Sequence, residues 1–518
     1  MEAYRETVMK LGFGLQPVVE ALNKALEENP EAPAVIHNDK VRSYRQLCES
    51  AQNIATQLTE MAILPGERLA LDIPRSIALY ELMLGCLIAG VSFMSLPRGF
   101  DKSEQIQEAK RANCVGILTD TELPLNGGLS LRGIGTFWKL PESNRGLVRS
   151  DIAGDEVYCV RTSGTTGEPK IVPIMRGQLS SFLENSQKAL KIDLYAKWLW
   201  THDLSFDYAI WETFGCLVHC GCLVVLDENK KRDARSTQRL MAKAGINVLS
   251  VTPSEFRYLF SSEAGSVNWE DYPLTEILFA GEKLSTSTFS SFFNQLDKAK
   301  VRLINAYGPS ETTVFCATHV VTKGDLALES IPIGKPFPGI KFELLNSNDL
   351  EAENLELNGA DVQDLEFGEL KICGAQVFAG YEGGEPLTDG YQSGDICRLD
   401  EQGRFVFIGR SSGYQKINGF RVEPYEIEEY LQSHEKVDEA VVWVENTSNQ
   451  GDLLLACVRG CRDVELSTRE LRLACSKLPP YLRPSRYRLF DDKQWPINER
   501  GKTDRMSLRR SMYEQEEY

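Results

Sequence analysis

The chain has no stretch of about 18 uncharged apolar residues, which excludes a membrane-spanning helix. Positive charge is in deficit: 57 Lys and Arg stand against 74 Asp and Glu, a net charge of −17 over 518 residues. A chain this acidic lacks the basic footprint that nucleic-acid binding requires. It also lacks the basic excess that draws proteins to anionic membranes. The Walker spacing GxxxxGK[ST] does not occur. The cluster His219-Cys220-Gly221-Cys222 has no second CxxC or His pair to complete a tetrahedral zinc set. The 13 cysteines are odd in number and sit mostly in apolar runs, as Cys86, Cys159 and Cys457 do. That pattern fits buried thiols in a reducing compartment, so a cytoplasmic protein without a disulfide framework is expected. The opening MEAYRETVMKLG has acids among its bases and no apolar core, so no secretory leader is expected. Internal repeats and low-complexity tracts are also lacking.

What remains is ordinary for a globular protein, with 42% hydrophobic and 25% charged residues. Tyr44, Leu47, Ala51, Ile54, Ala55 and Leu58 recur at helical spacing, and Ile77 to Ala89 is a long apolar segment. Short β-branched runs at 69–73, 115–119, 157–160, 199–201, 223–226, 248–251, 277–280 and 303–306 read as strands. Periodic segments at 208–219, 238–244 and 285–296 separate most of the later ones. The alternation predicts an α/β fold with parallel-rich sheets flanked by helices. Asn346–Glu366 reads as an exposed acidic loop. The small residues Ser411-Ser412-Gly413 mark a boundary. We expect a large N-terminal region, 1–410, and a small mobile α+β domain, 411–518.

The most informative segment is Thr162-Ser163-Gly164-Thr165-Thr166-Gly167-Glu168-Pro169-Lys170, directly after an apolar strand. Gly164 and Gly167 free the backbone to curl, so that amides and four hydroxyls face one guest, with Lys170 adding positive charge. That suits a triphosphate, although a lone segment of this kind is also compatible with a plain turn between strands. The segment is similar to the signature of the adenylate-forming superfamily, which includes acyl-CoA synthetases, luciferases and nonribosomal peptide synthetase adenylation domains. Asn305-Ala306-Tyr307-Gly308-Pro309-Ser310-Glu311 resembles its NxYGPTE block. Gly368-Glu369-Leu370, Tyr391-Gln392-Ser393-Gly394-Asp395, Gly409-Arg410 with Lys416-Ile417-Asn418-Gly419, and Gly501-Lys502-Thr503-Asp504-Arg505 follow in the family's order.

The resemblance implies two half-reactions on ATP and Mg²⁺. A carboxylate first displaces pyrophosphate to form an acyl-adenylate, and a thiol then displaces AMP. It casts Lys502, Glu311, Thr166 and Lys416 as catalytic, with Glu311 holding the metal. ATP would be bound by Thr162, Ser163, Gly164, Thr165, Thr166, Gly167 and Lys170. Gly281, Glu282, Asn305, Ala306, Tyr307, Gly308, Ser310, Asp395, Phe407 and Arg410 would complete that site, with Asp395 on the ribose and Tyr307 and Phe407 at the adenine.

Phe206-Asp207-Tyr208-Ala209-Ile210-Trp211-Glu212 resembles the FDxSVWE block of amino-acid-activating domains, where the Asp pairs with the substrate amine. Asp207 would then anchor an ammonium group and Lys502 the carboxylate. The competing role for Asp207 is to cap the helix that starts at Tyr208. Tyr208, Trp211, Ser250, Leu278, Ala280, Ala306, Val314 and Phe315 would wall the side-chain pocket, with His202 as a gate. These residues carry no charge for an ionic side chain, so a neutral, small-to-medium α- or β-amino acid is expected. Only Met506–Tyr518 follow Arg505, so a free-standing enzyme charging the phosphopantetheine of a separate carrier protein is expected. The alternatives are an acyl- or aryl-CoA ligase, or a non-catalytic binding protein on the same fold.

Overall fold

A computed structural model describes residues 15–97, 100–125, 127–141, 155–162, 170–231, 233–260, 268–328, 330–346, 367–410, 415–417, 420–422, 424–447, 451–461, 464–491, 494–496, 503 and 505–512. They form two compact units, one from residues before 410 and one from 410 onward.

The first unit holds three sheets. A nine-stranded sheet runs Lys335–Pro336, Ala317–Val320, Arg302–Tyr307, Glu276–Phe279, Val248–Val251, Lys197–Trp200, Cys222–Val225, Pro33–His37, Lys40–Ser43. Its six central strands, from Arg302–Tyr307 to Pro33–His37, are parallel. Strands buried on both faces read as near-continuous apolar runs, which is why Val248–Val251 and Cys222–Val225 were visible in the sequence. A seven-stranded sheet runs Leu129–Leu131, Gly135–Lys139, Gly116–Thr119, Arg68–Asp72, Ser92–Ser95, Glu156–Thr162, Lys170–Met175. Gly116–Thr119, Arg68–Asp72, Ser92–Ser95 and Glu156–Thr162 are parallel. The fold is therefore mixed α/β with parallel-rich sheets, as the alternation predicted.

A third sheet was not singled out in the sequence. Ile340–Asn346, Phe367–Gly374, Tyr391–Leu399 and Phe405–Arg410 lie side by side, and the first three pair antiparallel. The acidic segment 347–366 connects the first two of these strands and lies outside the described residues.

Helix signals translate directly. Ser43 and Gln46 form a capping box for Tyr44–Glu60, whose expected apolar positions are all buried. The apolar segment Ile77–Ala89 is a helix with those limits, capped by Ser76 and closed by Gly90 in the left-handed region. The segment 285–296 instead breaks into a 3₁₀ turn, Thr286–Thr288, and a helix, Ser290–Lys298. Ser and Thr side chains compete for nearby hydrogen bonds, and here the Ser285 and Thr288 hydroxyls meet at 3.4 Å.

One core cluster spans the two large sheets, with Trp198, Trp200, Trp211, Tyr80 and Phe182 fully buried in it. Each such side chain contributes about 1.5–3 kcal/mol or more through apolar burial. All 13 cysteines are free thiols, buried except for the half-buried Cys373 and Cys461. Burial pushes the Cys222 thiol up to about 11, and His219 Nδ1 bonds the Gly215 carbonyl at 2.7 Å. No described helix is long and apolar enough to cross a membrane.

The second unit has its own core, drawn from Val422, Ile427, Leu431, Val442, Leu454, Ala456 and Leu471. Val437–Thr447 pairs antiparallel with Gly451–Gly460, which pairs parallel with Arg486–Phe490. The helices Pro424–Gln432, Thr468–Cys475 and Arg505–Ser511 complete it.

Candidate active site

Parallel strands deliver their functional groups at their carboxyl ends. Arg302–Tyr307 ends in Tyr307, whose hydroxyl donates to Asp395 Oδ2 at 2.5 Å. Asp395 is fully buried on Tyr391–Leu399, so the residues assigned to adenine and ribose meet although they are 88 positions apart. The chain then doubles back. A Cβ on Gly308 would lie 2.4 Å from Phe315 Cα, so only glycine fits this close approach. Thr313 and Val314 both hold positive φ, 62° and 67°, which is costly for β-branched residues. Such strain, about 1–3 kcal/mol per residue, is a recurrent feature of sites that fix a ligand's position.

Glu311 lies in the 3₁₀ turn inside this loop and is 3% exposed. Tyr381 donates to its Oε1 at 2.7 Å, and Lys170 Nζ sits 4.8 Å from the centre of the Tyr381 ring. A cation over an aromatic face, joined through its hydroxyl to a carboxylate, brings together the two charged residues assigned to phosphates and metal. Tyr381 escaped the sequence reading because its partners are 70 positions and more away and no motif marks it. Its neighbour Glu382 reinforces the arrangement by pairing with Arg68 at 2.9 Å and donating its amide to the Ile171 carbonyl at 3.0 Å.

Asn305 donates its amide to the carbonyls of Ile331 and Pro332 at 3.3 and 2.9 Å, fixing the side chain in the loop beside the strand. Gly281 follows Glu276–Phe279 with φ of +87°, beside the half-buried Glu282. Ser310 and Phe407 are half-buried, and Ala306 is buried. Thr162 Oγ1 bonds the Lys170 carbonyl at 3.4 Å. Ser163, Gly164, Thr165, Thr166, Gly167 and Lys502, with the side chains of Arg410 and Lys416, lie outside the described residues.

On the acid side, Asp207 is 6% exposed and immediately precedes the helical segment that begins at Tyr208. Its backbone is already helical, and its side chain makes no capping hydrogen bond. Within this helix, Trp211–Gly215 adopts a π turn, a rare geometry frequent at functional sites. Trp211 and Glu212 in this turn are both 0% exposed. Trp211 packs edge-on to Phe315 at 5.2 Å and to Trp198 at 4.9 Å. Tyr208 donates to the Leu278 carbonyl at 3.0 Å, and burial holds its hydroxyl well above the usual range, a trend that Glu212 reinforces and a hydrogen bond with Ser250 opposes. The structure thus brings Tyr208, Ser250 and Leu278 together, and Trp211 against Phe315. Ala280, Ala306 and Val314 are buried.

His202, assigned as a gate, is buried. Its ring is clamped between Glu212 Oε1 and Glu255 Oε2, each at 2.9 Å. Burial works to lower its pKa, but Glu255 and Glu212 raise it to about 9. Burial would raise Glu255, yet His202 and Lys231 hold it well below the usual carboxylate range. A base raised from 6.5 to about 9 stabilises the fold fully below pH 6.5 and loses that contribution as pH rises through 9. The expected loss is on the order of 3 kcal/mol, at about 1.4 kcal/mol per unit. Urea midpoints for wild type and His202→Asn are therefore expected to converge between pH 7 and pH 10. Parallel curves would contradict the clamp.

The sequence signature described as AMP-binding enzyme matches residues 22–382. The chain is 30% identical over 500 residues to syringomycin synthase SyrB1 of Pseudomonas syringae pv. syringae, covering 92% of this chain and 79% of that protein. It spans only 6–38% of the longer synthases that it also matches. Among solved structures, it is similar to PA1221, a nonribosomal peptide synthetase protein containing adenylation and PCP domains. The TM-score is 0.76 at 25% identity, over 98% of this chain and 99% of that one. It shares the fold of o-succinylbenzoate CoA synthetase of Bacillus subtilis, with a TM-score of 0.74 at 18% identity, over 95% of this chain and 98% of that one.

Proposed function

The chain belongs to the AMP-binding enzymes and is an adenylate-forming ligase of the nonribosomal-synthetase adenylation type, and from that premise we propose that its acid is an amino acid. The observation that supports this reading is Asp207. A carboxylate withdrawn from water attracts a cation far more strongly than one that water screens. Asp207 is 6% exposed, adjoins the buried Tyr208 and does not cap the helix it precedes. A substrate ammonium is the cation that the amino-acid reading brings to it.

In this proposal the substrate carboxylate oxygen attacks the α-phosphorus of ATP and the bond to pyrophosphate breaks, leaving an aminoacyl-adenylate. A carrier-protein phosphopantetheine thiol then loses its proton, attacks the acyl carbon, and AMP departs. Asp207 orients the amine, and Tyr208, Trp211, Val314 and Phe315 shape a neutral pocket. Asp395 accepts from the ribose hydroxyls with Tyr307 beside it, as a carboxylate's lone pairs allow. The site's chemistry fits a divalent cation: Glu311 offers the hard oxygen donor that Mg²⁺ prefers, close to Lys170 through Tyr381. Such a cation, when bound, neutralises phosphate charge. PA1221, which combines adenylation and PCP domains, supports a carrier protein as thiol donor.

The fold shared with o-succinylbenzoate CoA synthetase favours a second reading, a CoA ligase for an acid without an amine. Amino-acid-dependent pyrophosphate exchange across common and unusual amino acids, run beside fatty and aryl acids, separates the two. A neutral amino acid is expected to drive exchange, and stimulation by the amine-free acids alone would defeat the proposal.

A further inference from the structure

We propose that the turn between the strand Arg68–Asp72 and the helix Ile77–Ala89 is an oxyanion site, formed by the Arg75 guanidinium and the first helical amides, that takes a phosphate group. It goes beyond the reaction above, which uses none of these residues.

Arg75 is 5% exposed. Its Nε donates to the Leu226 carbonyl at 3.3 Å, while Nη2 is buried with no hydrogen-bond partner among the described residues. Arginine is almost never this deeply buried unless paired. Asp72 and Glu81, near it in the chain, and Asp227, next to Leu226, are each engaged by other residues. Asp72 accepts from Gln105 and Thr119 at 3.1 and 3.0 Å. Glu81 takes Arg42 at 3.1 Å, and Asp227 takes His37 and Lys230, each at 2.6 Å. A buried guanidinium without a counter-charge is strongly unfavourable.

The helix adds an independent demand. Ser76 caps it, accepting from Leu79 through its side chain at 3.1 Å and from Tyr80 through its carbonyl at 3.2 Å. The amides of Ile77 and Ala78 make no hydrogen bond among the described residues. A 13-residue helix is positive at this end, so Arg75 stands at the wrong pole of its dipole. One oxyanion would relieve both faults, since it accepts from free amides and neutralises the guanidinium.

The location fits a ligand. Leu226 follows the parallel strand Cys222–Val225, so its bond to Arg75 joins the carboxyl edges of both large sheets. Tyr307 and Thr162 end strands at those same edges, where α/β proteins bind their ligands. Pro74, Ser76 and Ala78 are only half-buried, so the turn reaches solvent. Two sources share the required chemistry: free phosphate or pyrophosphate, and the phosphodiester of a pantetheine arm.

The test uses the full chain with its nucleotide site saturated by AMP. Inorganic phosphate, pyrophosphate, 4′-phosphopantetheine and pantetheine are titrated while Tm is followed. The phosphates are expected to raise the wild-type Tm by several degrees and pantetheine is not. Arg75→Met should lose the rise while its anion-free Tm is unchanged or higher, because the uncompensated charge is gone. Arg75→Lys should keep a weakened rise. A larger response to 4′-phosphopantetheine than to pyrophosphate assigns the site to the arm, and the reverse assigns it to the leaving group. No saturable response in wild type, or equal responses in wild type and Arg75→Lys, overturns the site even if Arg75→Met does not fold. Failure of amino-acid-dependent exchange would leave this result standing, because the readout is phosphate binding.

Discussion

Replacing Lys502 with Ala is expected to cut amino-acid-dependent pyrophosphate exchange by about 10²–10³-fold, the usual cost of one preorganised charge on a transferring phosphoryl group. Phosphoryl-type transfer depends on positioning and electrostatics, so the loss of one placed cation falls on the rate. The fold should tolerate the change, because the residues around Lys502 carry the anchoring. Trp495 donates to Thr503 at 3.0 Å, Thr503 donates to Glu439, and Arg505 pairs with Glu428. The check is single-turnover adenylation beside a thermal melt. Near-normal adenylation in a folded Lys502→Ala protein would remove the lysine from the chemistry.

What the sequence disclosed, and what it did not, follows from the range of the interactions. Capping boxes and apolar runs act within a few residues, so Tyr44–Glu60, Ile77–Ala89 and Val248–Val251 could be read locally. The motifs around Glu311 and Asp395 were legible because each is a short run of consecutive residues that resembles a family block. Their mutual arrangement was not. The Tyr307–Asp395 bond, the Tyr381–Glu311 bond beside Lys170, and the Glu255 arm of the His202 clamp span 88, 70 and 53 positions. The antiparallel sheet that carries Asp395 was missed for a related reason. Its strands mix polar with apolar residues, and buried and exposed positions interleave along Tyr391–Leu399 in place of an unbroken apolar run. The π turn at Trp211–Gly215 was also invisible, because one extra residue in a helix leaves apolar periodicity almost unchanged over so short a segment.

Asp207→Asn is the substitution expected to change specificity as well as rate. Removing one partner from a buried charge pair costs about 2–5 kcal/mol, or roughly 30- to several-thousand-fold in kcat/KM for the amino acid. An amide keeps the shape and a hydrogen-bond acceptor but loses the charge. The loss should therefore fall on the amino acid and not on its deaminated counterpart, a carboxylic acid of the same side chain. The ratio of kcat/KM for the two acids is expected to collapse toward unity in the variant. A purely structural aspartate predicts something different: both acids would suffer equally, and Tm would fall because the carboxylate's role in holding the fold is gone. Because the Asp207 side chain makes no capping bond, the roughly 1 kcal/mol typical of a lost helix cap should be absent from the melt. An unchanged ratio together with a lower Tm would assign Asp207 to the fold and return the acid to the amine-free class.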